Sequence, residues 1–439
     1  MDYKTSEVLE FIEENDVKFI KLAFCDIFGN QKNITIMPTE LKRAFYEGVS
    51  FDASAVTGFM KVEESDLLLF PEANTMYLLP WRPQHGRVVR FFCNIKHPDG
   101  RDFEGDCRNI LKEVIKDSKQ KGFTCKIGCE SEFYLFEQDE FGNPTMIPYD
   151  KGTYCDIYPN DRCENIRRDI CLSLEEMGIK PTSSHHEQGP GQNEIDYEYS
   201  NALSAADNLI SFRSFVKTKA SENGLFASFM PRPLETECGS GLHINISLYK
   251  DNKNIFEDKN DKQYKYAESF ISGILNRIEE ITLFLNSSTN SYKRLGKDKA
   301  PKYITWSKEN RSQLIRIPAS KGDRCRMELR SPDSSCNPYI AFALLIKAGI
   351  EGIEKNLQLC NPHNINLFNA NDNEVKNLKT LPNNLNEAIN NALNSEFIKT
   401  VLPQKTINNY IDDKKQEWDI YNSITDKFKA EKELYFEKF

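Results

Sequence analysis

No stretch of this 439-residue chain approaches the roughly 20 uninterrupted apolar residues that a membrane-spanning helix needs. The opening run Met1-Asp2-Tyr3-Lys4-Thr5-Ser6-Glu7 carries no apolar signal region, so the protein reads as cytoplasmic. A basic stripe is also missing. The net charge is −9, and Lys and Arg are interspersed with acids, which excludes the electrostatic footprint of a nucleic-acid binder. Among the 12 cysteines there is no CxxC pair, which removes a zinc ribbon. Cys125 and Cys129 lie four apart, but in a strand-like run that splays them; the cysteines read as reduced, buried, small apolar residues. There is no GxxxxGK[ST] loop, so any nucleotide is held by a site of another kind. No internal repeat is visible.

What is present is a soluble globular composition, 39% hydrophobic and 28% charged, in a length that suits a small domain followed by a large one. The first part reads as α+β. It has a helix over Thr5–Glu14, a hairpin of Val17–Phe24 and Lys32–Met37 around the turn Asp26–Asn30, and strands over Leu68–Leu79 and Arg87–Ile95. His97-Pro98-Asp99-Gly100 closes it. Beyond lie a helix over Cys107–Gln120 and strands at Lys126–Phe136, Phe226–Met230, Leu242–Tyr249 and Cys325–Ser331. Further helices fall at Ile166–Met177, Ala202–Asn223, Tyr264–Phe284 and Pro338–Asn356. The Asn-rich stretch 361–394 reads as loop and mobile helix. The end, Lys429–Phe439, reads as an amphipathic tail suited to docking on a partner subunit.

The densest polar segment is His185-His186-Glu187-Gln188-Gly189-Pro190-Gly191-Gln192-Asn193-Glu194. Taken alone it is compatible with a solvated turn. Other carboxylates arrive in equally odd settings. Glu130 and Glu132 sit at i and i+2 of a strand, so both project from one face, where like charges repel. In Leu242–Leu248 the apolar Leu242, Ile244, Ile246 and Leu248 alternate with His243, Asn245 and Ser247. Met327 and Leu329 alternate with Arg326, Glu328 and Arg330. Each strand alone fits a half-solvated antiparallel sheet. Together they bring Glu130, Glu132, Glu187, Glu194, Glu328 and His243 toward one polar face, which repulsion would oppose unless cations sat between them. Oxygen ligands with a single imidazole suit Mg²⁺ or Mn²⁺. Six ligands supply two metals with three each, the arrangement used for phosphate chemistry. Arg294, Arg311, Arg316, Arg326 and Arg330 add a series suited to binding phosphate and carboxylate, or to pairing with the acids just named.

Phe51-Asp52-Ala-Ser-Ala-Val, Glu130-Ser-Glu132-Phe, the His185–Glu194 run, Gly239-Ser-Gly-Leu-His243, Asn290-Ser-Tyr-Lys-Arg294, Asn310-Arg311-Ser312 and Glu328-Leu-Arg330-Ser-Pro-Asp333 resemble, in order and over essentially the whole chain, bacterial type I glutamine synthetase. The resemblance implies an α+β protein with a β-grasp domain at 1–103 and a catalytic domain at 104–439 whose antiparallel strands line a bifunnel. It implies ATP-dependent ligation of ammonia to the γ-carboxylate of glutamate through a γ-glutamyl phosphate, with ATP and two or more Mg²⁺ or Mn²⁺ per site. It also implies a homo-oligomer, a dodecamer of two hexameric rings with sites shared between subunits.

Carried over by motif, Glu132, Glu187 and Glu194 hold one metal, and Glu130, His243 and Glu328 the other. Arg294, Arg330 and the Gly239 backbone bind glutamate. Arg311, Arg316 and Arg326 face the γ-phosphate, and Asn245 and Ser247 lie on the nucleotide side. Asp52 of an adjacent subunit and Tyr154 match the ammonium pocket, with Glu187 beside it. The chemistry suits these types: ATP turns the carboxylate into an acyl phosphate that an amine can attack, cationic groups stabilise the transferring phosphoryl group, and a carboxylate takes the proton of ammonium.

The chain departs from the family pattern in its flap. Gly296-Lys297-Asp298-Lys299-Ala300-Pro301 is one residue shorter than the common bacterial form and places Lys299 where a Glu is expected; Asp298 is the neighbouring carboxylate able to substitute. Cys238 replaces the Asn that commonly precedes Gly-Ser-Gly, and Ala53-Ser54-Ala55 replaces Gly-Ser-Ser. The adenylylated tyrosine loop of some relatives is not visible. Three readings follow: a glutamine synthetase using ammonia, a γ-glutamyl-amine ligase using a polyamine or ethanolamine, and a weakly catalytic paralog that binds glutamine and regulates a partner. The full set of ligands and arginines favours catalysis, and the retained Asp52 favours ammonia.

Overall fold

A computed structural model of the chain describes residues 4–81, 85–257 and 262–439. Of the N-terminal stretch read for a signal region, Met1–Tyr3 lie outside the described residues. After α1 (Thr5–Glu14), β1 (Val17–Cys25) and β2 (Gln31–Ile36) form an antiparallel hairpin. The Asp26 carboxylate accepts the backbone N–H groups of Phe28 and Asn30 at 3.0 and 2.9 Å, which fixes the turn. α2 (Leu41–Glu47), β3 (Val49–Asp52), β4 (Asp66–Pro71), β5 (Tyr77–Leu78) and β6 (Arg87–Lys96) complete this part. Its six-stranded sheet runs β2-β1-β6-β4-β3, with β5 beside β6 and β1 parallel to β6. The one strand expected over Leu68–Leu79 is broken into β4 and β5. Pro71 has no N–H to continue a ladder, and Thr75 Oγ1 donates to the Glu72 and Phe92 carbonyls within a 3₁₀ turn.

The second part begins with α3 (Cys107–Gln120), capped by Asp106, whose carboxylate accepts from the Arg108 and Asn109 N–H groups. There follow β7 (Thr124–Gln138), β8 (Pro144–Pro148), α4 (Glu164–Glu176), β9 (Pro181–His186), β10 (Gln192–Tyr197), β11 (Ser200–Asn201), α5 (Ala202–Glu222) and β12 (Leu225–Ser228). Next come β13 (Leu242–Lys250), β14 (Lys253–Asn254), α6 (Tyr264–Leu285), α7 (Ser291–Arg294), β15 (Trp306–Lys308), β16 (Ile315–Ile317), β17 (Met327–Leu329) and α8 (Pro338–Glu354). The chain ends in α9 (Asp372–Val375), α10 (Leu385–Leu393), α11 (Glu396–Lys399), α12 (Gln404–Ser423) and α13 (Lys427–Tyr435). The eleven-stranded sheet has the order β15-β16-β17-β13-β7-β10-β9, with β8, β11 and β12 also on β7 and β14 on β13. β7 is the hub.

One face of this sheet is covered by helices. α8 is apolar on all sides because it is buried on all sides, from Ile340 to Ile346. It crosses α6 at two glycines: a Cβ on Gly352 would meet the Ser269 carbonyl oxygen at 2.1 Å, and one on Gly273 the Ala348 carbonyl oxygen at 2.2 Å. The Asn-rich stretch is more ordered than its composition predicts. Within it, α10 buries Leu385, Ala388, Ile389 and Ala392, so its apolar stripe outweighs the asparagines on its outer face. The tail docks on its own chain. Phe436 packs against Phe136 and Phe226 at ring separations of 5.2 and 5.0 Å, leaving that apolar face covered.

Candidate active site

The polar face of the large sheet holds the acids picked out from the sequence. Glu130 and Glu132 do share one face of β7. Register sets their neighbours: Glu130 stands opposite His243 of β13 and Asp196 of β10, and Glu132 opposite Glu194 of β10. The β13 polar residues are not half-solvated. His243, Asn245 and Ser247 are all buried, so they need partners and have them.

Glu130, His243 and Glu328 form one group, with a possible ligand atom of each within 4.8 Å of the others. His243 Nδ1 lies 3.2 Å from Glu130 Oε2 and 3.7 Å from Glu328 Oε1. Asn245 Nδ2 donates to the other Glu130 oxygen at 2.8 Å. Glu328 is fully buried. Burial alone would raise its carboxyl, but the Arg330 guanidinium, then His243 and Arg316, hold it below the usual range. Arg330 Nη1 bonds one of its oxygens, and Arg316 Nη1 donates to the other at 2.5 Å.

His185, Glu187 and Glu194 form a second group of the same compactness. β9 and β10 place them, a hairpin around Gly189-Pro190-Gly191 in which Glu194 pairs with His185. Burial raises the Glu187 carboxyl, but the hydrogen bond and charge of His185, whose Nε2 lies 3.0 Å from Glu187 Oε1, together with the Gln188 N–H and Glu194, keep it below the usual carboxylate range. Glu194 is the reverse case. Burial, then the charges of Glu132, Asp196, Glu130 and Glu187, push its carboxyl well above the usual range. Glu132 is raised by burial, and the charge of Glu187 adds to the rise. One of its oxygens accepts the Gly241 N–H at 2.9 Å and the Gln192 amide at 3.1 Å. Carboxylates forced up in pKa by one another, beside imidazoles, are a donor set that fits hard divalent cations.

Five of these six residues, all but Glu328, line one cavity of about 600 Å³. Glu132, Gly239, Arg294, Arg311, Arg316, Arg326, Arg330 and Tyr154 open on it too, while Glu328 lies buried behind Arg330. Asn245 and Ser247 line a second cavity of about 560 Å³ that shares Glu130, Asp196 and Arg326 with the first. The Gly239-Ser240-Gly241 loop is glycine-rich because Arg294 packs on it: a Cβ on Gly241 would meet Arg294 Nη2 at 2.6 Å, and one on Gly239 the Pro231 carbonyl oxygen at 2.7 Å. Arg294 donates to the Ser331 carbonyl at 2.8 Å. Arg330 Nε is buried and has no partner among the described residues. Arg326 Nε donates to Asn245 Oδ1 at 2.8 Å, which ties the second cavity to the first.

At the mouth, the Tyr154 ring meets the His185 ring edge-on at 5.4 Å, and Lys299 Nζ lies 5.1 Å from the Tyr154 ring centroid. Asp298, the carboxylate considered as a substitute in the flap, is paired with Arg232 at 2.8 Å. Asp52 does not line the cavity; it ends β3 in the small sheet, is exposed, and accepts from Ser54 N and Oγ.

Sequence reasoning gave no role to His185, Asp196 or Arg232. The period of two along β10 could have found Asp196, which follows Glu194 by two. A third acidic group, Asp150, Asp161 and His186, lies buried beneath the hairpin. Asp161 is paired with Arg167 and Asp150 with His186, so this group is neutralised by the chain itself.

The family model "Glutamine synthetase, catalytic domain" matches residues 104–433, and "Glutamine synthetase, beta-Grasp domain" matches residues 16–98. The chain is 45% identical over 426 residues to a glutamine synthetase of Clostridium saccharobutylicum, covering 96% of each. It is 44% identical over 423 residues to that of Methanosarcina mazei, covering 95% of each. The solved structure "GmaS/ADP complex-Conformation 1" superposes with a TM-score of 0.87 at 27% identity, covering 99% of both chains.

Proposed function

The chain belongs to the glutamine synthetase family and makes glutamine in an ATP-dependent ligation, and from that premise we propose how its residues divide the work. The observation that carries the assignment is the pair of partly buried ligand groups, Glu130–His243–Glu328 and His185–Glu187–Glu194, at one arginine-lined cavity. The family uses ATP and divalent metals, and in our reading two Mg²⁺ or Mn²⁺ ions would be held, one by Glu130, His243 and Glu328 and the other by Glu132, Glu187 and Glu194, with His185 beside Glu187. Bound there, such ions neutralise phosphate charge and polarise the phosphoryl oxygens.

Arg294, Arg330 and the Gly239 backbone, which line the cavity, orient glutamate. Asn245 and Ser247 lie on the nucleotide side, in keeping with the ADP named for the structural neighbour. Arg311, Arg316 and Arg326 face the γ-phosphoryl group as it passes to the γ-carboxylate, giving γ-glutamyl phosphate, and offset the charge spread over its oxygens. Tyr154 and Glu187, with Asp52 supplied by an adjacent subunit, receive ammonium. Glu187, kept ionised by His185, accepts its proton before nitrogen attacks and phosphate leaves. We place the domain boundary at 103/104 and the protein in the cytoplasm, as a dodecamer of two hexameric rings. Among the described residues no helix is long and apolar enough to cross a membrane.

The test is phosphate release from ATP and glutamate with a panel of acceptors, run with Mg²⁺ and with EDTA. Ammonium should support Mg²⁺-dependent turnover and glutamine should accumulate. Turnover with ethanolamine or a polyamine but not with ammonium would transfer the assignment to a γ-glutamyl-amine ligase.

A further inference from the structure

Lys297, Asp298, Lys299 and Ala300 line the mouth of the catalytic cavity, and residues 296–299 are exposed. Three backbone bonds shape this segment: Gly296 N–H to the Ala300 carbonyl at 3.2 Å, Lys297 N–H to the Arg294 carbonyl at 3.1 Å, and Ala300 N–H to the Lys297 carbonyl at 2.9 Å. All three close within residues 294–300, so none ties the segment to a distant part of the fold. That tie falls to Asp298. Its carboxylate accepts from Arg232 Nη1 at 2.8 Å, the one ion pair of the segment among the described residues. Asp298 also stands at φ 52°, in the left-handed region that glycine enters freely and a side chain enters at a cost. The guanidinium it faces there offsets that cost.

Arg232 is held from several sides and is buried. Its N–H donates to Asn290 Oδ1 at 2.6 Å, and its carbonyl accepts from Asn290 Nδ2 at 3.0 Å. Asn290, itself buried, donates in turn to Glu431 of α13 at 2.8 Å. Arg232 Nη2 reaches the Glu235 carbonyl at 3.3 Å. Asp298 is the carboxylate that balances this buried cation. One residue earlier, the Pro231 carbonyl accepts the Ser240 N–H at 2.7 Å, so the same stretch backs the Gly239 loop assigned to glutamate. Arg232 therefore stands between that loop and the segment at the cavity mouth.

We propose that Arg232 is a positioning residue for the ligation, latching residues 296–301 at the mouth through Asp298; this rests on the ligase reading above. Asp298 is then a strut committed to Arg232, and not a spare base for ammonium. With the latch broken the segment swings away and water reaches the γ-glutamyl phosphate. Water adds to the acyl carbon, the bond from that carbon to the phosphate oxygen breaks, and glutamate and phosphate leave, with the protons of water passing to phosphate and solvent. ATP is consumed and no glutamine forms.

The experiment measures phosphate and glutamine together, from ATP and glutamate at limiting ammonium with Mg²⁺, in wild type, Asp298→Gly, Arg232→Met and the double variant. Glycine takes the backbone at 298 without the carboxylate, so Asp298→Gly removes the latch and adds no strain. We expect wild type to release one phosphate per glutamine, and each single variant to raise that ratio by about twofold or more, the lower bound for two residues in direct contact. The double variant should raise it no further than the singles, because the same pair is broken in each. Hydrogen exchange by mass spectrometry on the ligand-free full chain gives a readout besides activity: the Lys297 and Ala300 amides should exchange faster in Asp298→Gly than in wild type. Asp298→Gly carries the decision if Arg232→Met does not fold, since the Asp298 side chain is 37% exposed and leaves no cavity. A ratio in Asp298→Gly equal to that of wild type would overturn the proposal, as would a raised ratio with unchanged exchange. Wild type forming no glutamine would instead sink the ligase reading, and the exchange comparison would still decide the latch.

Discussion

Beneath the floor of the site, His186 Nε2 meets Asp150 Oδ1 at 2.9 Å, and both residues are buried. The other ring nitrogen faces the Glu187 carbonyl at 2.6 Å. Both nitrogens therefore face acceptors, an arrangement that favours the protonated ring. Hydrogen bonds to Asp150 and to the Glu187 carbonyl raise its pKa against burial, which acts the other way. The same Asp150 oxygen accepts the Gly191 N–H at 2.8 Å. One carboxylate thus ties both ends of the turn that sets Glu187 beside Glu194. Asp150→Asn should weaken Mn²⁺ binding by roughly 10- to 100-fold, the range seen when residues supporting metal ligands are lost. Titration of Mn²⁺ followed by electron paramagnetic resonance reads this directly; unchanged affinity would remove Asp150 from the support of the site.

Glu328 carries two arginines and faces His243. Glu328→Gln keeps its volume and withdraws the charge. We expect phosphate release to fall by about 100-fold or more, the scale of losing one group that stabilises developing charge. The gain in melting temperature on adding Mg²⁺ should shrink in parallel. A variant with wild-type turnover would sink the two-metal assignment.

Much of this site was legible because strands impose a period of two. Glu130 with Glu132, and His243 with Asn245, fall on shared faces by sequence spacing alone. The hairpin of β9 and β10 was not, because Pro181-Thr-Ser-Ser-His-His186 has none of the apolar alternation that marks a strand; β9 is the edge of the sheet, where Thr182, Ser183 and Ser184 are exposed. His185 was seen in the motif but given no role, as only register reveals that it pairs with Glu194. The tail was read as a docking element without its target, because amphipathicity shows that a face will be covered and not by what. Asp298 could be named as a carboxylate near the flap, but its pairing with Arg232, 66 residues earlier, is long-range and leaves no local signal.

The α6–α8 crossing allows a prediction about stability. Gly352→Ala would place a methyl group 2.1 Å from the Ser269 carbonyl oxygen and 2.7 Å from Gly273 Cα, both backbone atoms that cannot rotate away. The helices must separate, at a cost of about 1–3 kcal/mol for overpacking. Thermal unfolding at fixed Mg²⁺ should show a lower midpoint. An unchanged midpoint would mean that the helices are less closely apposed in solution.

Arg277 clasps the same two helices, donating from Nε and Nη2 to the two oxygens of Glu351 at 2.8 and 2.9 Å. That bond is the chief reason the Glu351 carboxyl is lowered from 4.5 to about 2. A depressed carboxyl stabilises the fold above its unfolded pKa, and that contribution is lost as pH falls toward the folded one. Wild type should therefore melt above Glu351→Gln at pH 6, and the gap should close as pH falls from about 4.5 toward 2. A gap that stays constant across that window would assign the effect to packing instead.

Lys299 brings a cation to the ring assigned to ammonium. Its Nζ lies 5.1 Å from the Tyr154 centroid, and Tyr154 is 53% exposed, so the contact is of the weak, surface kind. Such contacts are worth about 0.5–1 kcal/mol, which corresponds to roughly a 2- to 5-fold competition against an incoming ammonium ion. Lys299→Met keeps most of the stem and removes the charge. It should lower the KM for ammonium by about that factor and leave the KM for glutamate unchanged, because Arg294 and Arg330 are untouched. Lys299→Glu should lower it at least as far, since it replaces repulsion with attraction at the same point. The measurement is initial-rate glutamine formation against ammonium concentration at saturating ATP and glutamate. A KM for ammonium that rises in Lys299→Met would show instead that Lys299 helps to close the flap over the site.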